Sequence, residues 1–159
     1  MNYSHDQTVE AFLEMVRVDS PSFCEKNMAD YLAAKIAGCG WDAEVERVPV
    51  LKDKFDADAK LRLKNNPDLS DTEQLVVTIP ATDPKKDPIY FCAHIDTVNP
   101  GKGIKPIVEN GIIRSDGTTV LGGDDKSGVA SILVAADKAI KQKIPHGKLV
   151  LIFTALEEQ

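Results

Sequence analysis

The sequence predicts an α/β fold in which a mixed, largely parallel central sheet is flanked by helices. Three observations lead to this prediction. Segments with helical spacing alternate with short apolar segments that are typical of strands. The last of these, around residues 149–153, is continuously apolar, as in strands that are buried on both faces. The 159 residues contain 43% hydrophobic and 28% charged side chains, which is typical of one globular domain.

Two helices are predicted before Trp41. Residues 5–18 follow Ser4, a candidate N-cap, and their apolar residues recur at helical spacing. These apolar residues are Val9, Phe12, Leu13 and Val16. The second helix follows residues 22–25, whose Ser-x-x-Glu pattern is typical of a capping box. We expect it to end near Gly38.

The middle of the chain predicts strands. Residues 41–50 alternate apolar and acidic side chains, which indicates a strand with one face in water. Residues 60–64 alternate lysine or arginine with leucine and predict a lysine-guarded edge strand, followed by a turn at residues 65–68. Residues 74–79 and 89–95 predict two strands in the centre of the sheet.

The last third of the chain predicts a hairpin, a helix and a strand. Residues 104–114 contain Glu109-Asn110-Gly111, a hairpin turn between short apolar stretches. Residues 126–141 predict an amphipathic helix that lies on the sheet. Its apolar stripe consists of Val129, Ile132, Leu133, Ala136 and Ile140. Residues 148–155 form the apolar strand noted above, and we expect it to expose an edge or a face.

Composition argues against several classes of partner. The net charge is −6, and no run of basic residues is longer than Lys85-Lys86, so a nucleic-acid partner is not expected. The longest apolar run is far shorter than the about 20 residues of a membrane span, and the first residues lack a signal-peptide pattern, so we expect a cytoplasmic protein. Three cysteines lack metal-ligand spacing and are expected to be structural thiols; they are Cys24, Cys39 and Cys92.

The first cluster of chemical interest is His94-Ile95-Asp96, at the end of a predicted strand. Residues i and i+2 of an extended segment point to the same side. Asp96 can therefore accept one ring N–H of His94 and leave the other nitrogen free to bind a metal ion. The alternative is a core histidine paired with a strand-end aspartate, and the tripeptide alone favours it because short patterns often arise by chance.

A second cluster opens the amphipathic helix, where Gly122 and Gly123 precede Asp124, Asp125 and Lys126. Glycines permit an unusual backbone and close approach, and the helix dipole favours carboxylates at this end. An N-capping aspartate accounts for one carboxylate but not for the glycines. A phosphate-binding loop is rejected because it needs glycine directly before Lys-Ser, where Asp125 stands, and because two carboxylates would repel phosphate.

The third cluster is Glu157-Glu158, directly after the most hydrophobic strand. A glutamate pair alone is most often a solvated face or the first turn of a helix, and both side chains can serve one site only if the chain turns there. Together with His94 and Asp124, however, the pair matches the ligand set of a zinc-type site with a nearby carboxylate base.

Three stretches, taken in order, resemble the successive motifs of a metallopeptidase family. They are residues 94–98 (HIDTV), 115–128 (SDGTTVLGGDDKSG) and 153–158 (FTALEE). The family includes peptidase T, carboxypeptidase G, acetylornithine deacetylase and succinyl-diaminopimelate desuccinylase, and the second stretch is most similar to peptidase T-like tripeptide aminopeptidases. The resemblance spans nearly the whole chain. It implies part of a phosphorylase/hydrolase-like catalytic domain that hydrolyses peptide bonds in short peptides.

By position, the resemblance implies that His94 binds one metal ion, Asp124 bridges two ions and Glu158 binds the other. It implies that Asp96 orients His94 and that Glu157 is the general base. Two divalent ions are expected, zinc first, with cobalt or manganese as alternatives. The family often holds the peptide bond after the bridging aspartate in the cis form, which would account for the preceding glycines.

Enzymes of this family are longer, with a second domain that closes the site and often mediates dimerisation, and with two further metal ligands downstream. We therefore expect residues 1–159 to be the N-terminal part of a catalytic domain, with weak metal binding and no peptidase activity alone. His5 and His146 are expected at the surface and not as substitute ligands. Two alternatives stay open: an N-acyl amino acid amidohydrolase of the same architecture, and a non-catalytic module that is vestigial or binds a partner.

Overall fold

The computed structural model describes residues 5–50, 55–65 and 72–159. The helices are α1 His5–Val16, α2 Lys26–Gly38, α3 Ala57–Asn65 and α4 Gly123–Lys141. The strands are β1 Glu44–Pro49, β2 Glu73–Ile79, β3 Ile89–His94, β4 Pro106–Glu109, β5 Ile112–Ser115 and β6 Leu149–Thr154. Ser4, the side chain of His5 and most of the turn predicted at residues 65–68 lie outside the described residues. No helix in the described ranges is both long and apolar enough to cross a bilayer.

Four strands form one mixed sheet in the order β1-β2-β6-β3. The α/β fold with helices packed on a mixed sheet is therefore confirmed. The prediction of a largely parallel sheet is wrong for the described strands, because β1 with β2 and β2 with β6 are antiparallel and only β3 with β6 is parallel. A parallel pair needs a long crossover connection, and the segment that contains α4 supplies it. Strands β4 and β5 form the predicted hairpin separately, around Asn110 and Gly111.

The core lies between one face of the sheet and the helices. Alternate residues of β2 and β6 pair in register on this face and are almost fully buried, as the period of a strand requires. The pairs are Leu75 with Phe153, Val77 with Leu151, and Ile79 with Leu149. Helix α4 adds the predicted apolar stripe to the same cluster, and α1 packs along α4. This packing places the first turn of α4 next to the end of β3.

The edges of the sheet differ from the expectation. Strand β6 is paired on both sides, so the prediction that it exposes an edge is wrong. Strand β2 is interior as predicted, but β3 is an edge strand of the described sheet. Tyr90 on β3 is 63% exposed, and Cys92 is exposed although the sequence predicted a buried structural thiol.

Residues 60–64 belong to helix α3, so the predicted edge strand is wrong. The side chain of Asp56 accepts a hydrogen bond from the backbone N–H of Ala59 at 2.8 Å, as an N-cap does. Alanine, leucine, lysine and arginine fill the segment, and all are strong helix formers. Their propensity outweighs an alternation of only five residues.

The capping box predicted for α2 is wrong, because Ser22 and Glu25 bond to other groups. The hydroxyl of Ser22 donates to Oδ2 of Asp96 at 2.8 Å, and the carboxylate of Glu25 accepts from the N–H of Phe23 at 2.9 Å. The helix begins after Glu25, at Lys26, without a side-chain cap. Ser22 therefore serves a distant segment and not its own helix.

Candidate metal centre

The predicted site residues converge where β3 and β6 end. These strands are parallel, so their ends lie side by side, and His94 pairs in register with Thr154. Nε2 of His94 lies 3.0 Å from Oδ1 of Asp124 and 3.9 Å from Oε2 of Glu157. His94, Glu157 and Glu158 offer ligand atoms that all lie within 4.8 Å of one another, a spacing suited to one metal ion.

Asp96 holds the ring of His94 in two ways. Nδ1 of His94 lies 3.0 Å from the backbone carbonyl oxygen of Asp96 and 3.3 Å from its Oδ1. An N–H at Nδ1 suits both acceptors, and this tautomer, assigned from its partners, directs the lone pair of Nε2 at Asp124 and Glu157. The sequence predicted the contact with the carboxylate but not the shorter contact with the carbonyl.

The two glutamates face one site because the chain turns after β6. Leu156 adopts a left-handed backbone conformation, with φ +63°, which is unusual for a bulky residue. The following N–H groups of Glu157 and Glu158 donate to the carboxylate of Asp96, at 3.1 and 3.2 Å. The turn that the sequence required for a shared site is therefore present.

The two aspartates at the start of α4 make different contacts. Asp124 and Asp125 are non-helical, and the regular helix begins after them. Oδ1 of Asp125 accepts the N–H of Gly128 at 3.1 Å, so Asp125 is the capping residue, whereas the side chain of Asp124 is 86% exposed and faces His94. The peptide bond between the two aspartates is cis, as the resemblance implied.

The structure explains why position 122, one of the two positions before Asp124, holds glycine. Gly122 has φ +72°, and a Cβ there would lie 3.2 Å from the methyl carbon of Thr97. A Cβ at Gly123 would meet nothing within 4 Å. Gly122 therefore lets the start of α4 approach the segment that follows Asp96.

The carboxylates dominate the electrostatics of His94. Burial by itself would lower the pKa of the imidazole. In the protonated ring, however, Nε2–H donates to Asp124, and this hydrogen bond and the negative charges of Asp96 and Glu157 outweigh burial and raise the pKa. Within the described ranges, no lysine or arginine forms an ion pair with these acids or with Glu158. The negative charge of the cluster is therefore left for a cation.

Lys126 follows the two aspartates but turns away from the site. Its side chain is fully buried, and Nζ donates to the carbonyl oxygen of Val18 at 2.7 Å. Burial lowers the pKa of Lys126 to about 8. Lys126 thus ties the end of α1 to the start of α4 and is not placed as a ligand.

One residue of the site, Ser22, was not predicted from the sequence. Its hydroxyl donates to Asp96 across a separation of 74 residues. The local Ser-x-x-Glu pattern pointed to a helix cap, and no local pattern marks so distant an acceptor.

Two pockets flank the sheet at opposite ends. A pocket of about 340 Å³ opens beside Glu158, with lining residues Phe23, Asp56, Asp58, Ala59 and Gln159. A larger pocket of about 500 Å³ has His146 in its lining.

His146 was predicted at the surface but is buried, with Nδ1 2.7 Å from the carbonyl oxygen of Gly147. The length of β6, six residues or roughly 20 Å, keeps His146 from the metal centre.

Comparison with known proteins points to the same chemistry. The model of peptidase family M28 matches residues 74–159. Over 150 residues the chain is 35% identical to the uncharacterized protein YqjE of Bacillus subtilis strain 168, which covers 94% of this chain and 36% of that protein.

Two solved structures are similar over nearly the whole chain. The aminopeptidase PepT from Bacillus cereus ATCC 10987 is 36% identical, with a TM-score of 0.78, over 97% of this chain and 37% of that chain. A tripeptidase from Staphylococcus aureus Mu50 is 33% identical, with a TM-score of 0.77, over 96% of this chain and 37% of that chain. The chain therefore spans little more than a third of the length of these relatives.

Proposed function

Because the chain belongs to peptidase family M28, we propose that it supplies part of the active site of a metallopeptidase that hydrolyses short peptides, as a tripeptide aminopeptidase does. The observation that carries the proposal is the convergence of His94, Asp124, Glu157 and Glu158 at one edge of the sheet. The similarity to an aminopeptidase and a tripeptidase supports short peptides as the substrate class.

The donor set fits divalent metal ions. It combines one imidazole, whose Nε2 faces outward, with carboxylates that no basic side chain of the described residues neutralises. We assign His94 to one ion, Glu158 to a second and Asp124 to a bridging position between them. Imidazole with carboxylates suits zinc, cobalt and manganese alike, and zinc is our first choice. When bound, such ions polarise the scissile carbonyl and bring the pKa of water to about 7.

The chain's own residues supply the proton transfer. The side chain of Glu157 is 61% exposed and sits at the tip of the turn, where it can reach a water molecule and the substrate. We assign it as the general base, which takes a proton from the attacking water and passes it to the leaving amine. The pocket beside Glu158 offers space for the peptide.

Metal titration tests the proposal on the chain alone. We expect Co²⁺ to bind the 159-residue chain and His94→Ala to abolish this binding, because the imidazole is the one nitrogen ligand that the described residues bring to the cluster. Glu157→Gln should retain Co²⁺ affinity in the 159-residue chain. In a longer polypeptide that contains this chain and matches its relatives in length, the same substitution should abolish tripeptide hydrolysis. Equal Co²⁺ binding by the His94→Ala variant would refute the metal centre, and an active Glu157→Gln enzyme would refute the base.

Incubation of the chain with a tripeptide and Zn²⁺, Co²⁺ or Mn²⁺ tests a separate point. We propose that the 159 residues alone are inactive, because our assignment gives each ion two protein ligands, fewer than the three that catalytic zinc sites use. Robust turnover by the chain alone would refute this part of the proposal and leave the metal centre intact.

A further inference from the structure

The loop between α1 and α2 is fastened to the segment that follows β3. The hydroxyl of Ser20 donates to the carbonyl oxygen of Ile95 at 2.7 Å, and the N–H of Thr97 donates to the carbonyl oxygen of Ser20 at 3.0 Å. The N–H of Ser22 donates back to the carbonyl oxygen of Thr97 at 3.3 Å. Both serines are buried. The loop thus holds the hydroxyl of Ser22 against Asp96.

Asp96 is fully buried and its carboxylate is surrounded by donors. Oδ1 accepts the N–H of Glu157 at 3.1 Å and lies 3.3 Å from Nδ1 of His94. Oδ2 accepts the hydroxyl of Ser22 at 2.8 Å and the N–H of Glu158 at 3.2 Å. The contact with Ser22 is the shortest of the four, and among the described residues Ser22 is the one hydroxyl that reaches this carboxylate.

We propose that Ser22 is a positioning residue of the metal centre and acts through Asp96. Its hydroxyl fixes the plane of the Asp96 carboxylate, and that plane decides where Oδ1 meets His94 and where both oxygens meet the turn of Glu157 and Glu158. One hydroxyl therefore aligns ligands from two strands. The inference rests on the proposed function, because it assumes that His94 and Glu158 bind metal.

The physical reason lies in the remaining donors. Without Ser22, the carboxylate of Asp96 keeps two backbone N–H donors, at 3.1 and 3.2 Å, and the ring of His94. These are the groups that Asp96 itself positions, so none of them fixes its carboxylate independently. Hydrogen bonds to a carboxylate are among the stronger ones in proteins, and partners of metal ligands commonly change metal affinity when they are removed. Loss of Ser22 should thus loosen both sides of the metal centre together.

The chain contains a matched control for the test. Ser20 lies two residues away in the same loop, is also buried, and donates to a backbone carbonyl instead of to Asp96. Ser20→Ala and Ser22→Ala remove the same atom from the same loop. Only the second substitution removes a donor from the carboxylate. It also removes the oxygen that accepts from Nε2 of Gln159 at 3.3 Å, so Gln159→Ala is the second control and isolates that contact.

Co²⁺ affinity of the 159-residue chain is the first measurement, with circular dichroism as the check of folding. We expect Ser22→Ala to weaken Co²⁺ binding about 10-fold, the lower end of the range for direct partners of metal ligands, because Ser22 reaches His94 only through Asp96. Ser22→Thr, which keeps the hydroxyl, should restore most of the affinity. Ser20→Ala should weaken binding much less than Ser22→Ala, because two backbone hydrogen bonds still fasten the loop. If Ser22→Ala does not fold, Ser22→Cys replaces it, because a thiol fills the space but is a weak donor.

Amide hydrogen exchange of the metal-free chain is the second measurement. We expect Ser22→Ala to speed exchange at Glu157 and Glu158, with the central strands unchanged, whereas Ser20→Ala should speed exchange at both amides much less. Unchanged exchange in Ser22→Ala, or equal effects of Ser20→Ala, would overturn the inference. Failure of the unsubstituted chain to bind Co²⁺ would instead overturn the proposed metal centre, while the exchange data still decide whether Ser22 positions Asp96.

Discussion

The buried carboxyl of Glu25 should make the stability of this fold depend on pH. Glu25 is fully buried at the start of α2, where Oε1 accepts the N–H of Phe23 at 2.9 Å and Oε2 has no hydrogen-bond partner within the described part of the chain. Burial raises the pKa of Glu25 to about 7, although hydrogen bonds oppose the rise, and the charge of Asp96 adds to it. The folded chain therefore favours the protonated acid.

The sign and the size follow from this pKa. The unfolded chain ionises Glu25 near its ordinary pKa of 4.5, whereas the folded chain keeps the proton until about pH 7. Between these values the folded state binds more protons, so the free energy of unfolding falls as the pH rises. The contribution is fully present below pH 4.5 and is lost as the pH passes about 7. The rise in pKa corresponds to about 3 kcal/mol, at about 1.4 kcal/mol for each tenfold change.

Glu25→Gln tests this prediction because the amide stays neutral at every pH. Urea unfolding, followed by the fluorescence of Trp41 and by circular dichroism, gives the free energy of unfolding of both proteins. We expect the variant to gain about 3 kcal/mol relative to the unsubstituted chain between about pH 4.5 and about pH 8. Glu10→Gln, at an exposed position on α1, is the control and should leave the pH dependence unchanged. A constant difference between the Glu25→Gln variant and the unsubstituted chain across this range would refute the reasoning.

Three further predictions concern the core, one turn and the metal centre. Leu151→Ala should lower the free energy of unfolding by about 2 to 5 kcal/mol in urea, because Leu151 is fully buried in the central strand β6. Gly147→Ala should cost about 1 to 3 kcal/mol or more, because a Cβ there would overlap the carbonyl oxygen of Asp87, whereas Gly38→Ala, in open space, should cost nothing. Co²⁺ affinity should increase as the pH rises through the raised pKa of His94, because metal binding requires the neutral imidazole; a titration series that shows no pH dependence would contradict this.

The elements predicted well from the sequence are those with long periodic patterns. The stripe along α4 extends over several turns and indicates a helix, and the apolar run of β6, with its β-branched and aromatic residues, indicates a buried strand. The convergence of the site also follows from the sequence, since strands β3 and β6 each end in a polar cluster and parallel strands end at one edge. The edge position of β3 does not follow, because strand order depends on pairings between distant segments.

The errors arise where a short pattern has two physical solutions. Five alternating residues in α3 match a strand, yet they lie on a helix of strong helix formers that leaves Leu61 55% exposed. Ser22 matches a helix cap, yet its hydroxyl binds the stronger acceptor, a buried carboxylate. A buried charge demands donors more strongly than a helix end that water can reach. The long-range partner therefore prevails over the local pattern.

The same preference explains why the site can gather acidic residues without basic neighbours. The carboxylate of Asp96 accepts hydrogen bonds from hydroxyl and N–H donors within the protein. The other carboxylates lie near the ring of His94; they belong to Asp124, Glu157 and Glu158. The adjacent Lys126 does not relieve their repulsion, because its ammonium group is buried against the carbonyl of Val18. The carboxylates near His94 therefore repel one another unless a cation binds between them. The charge distribution at this edge therefore supports the affinity for divalent ions that we propose.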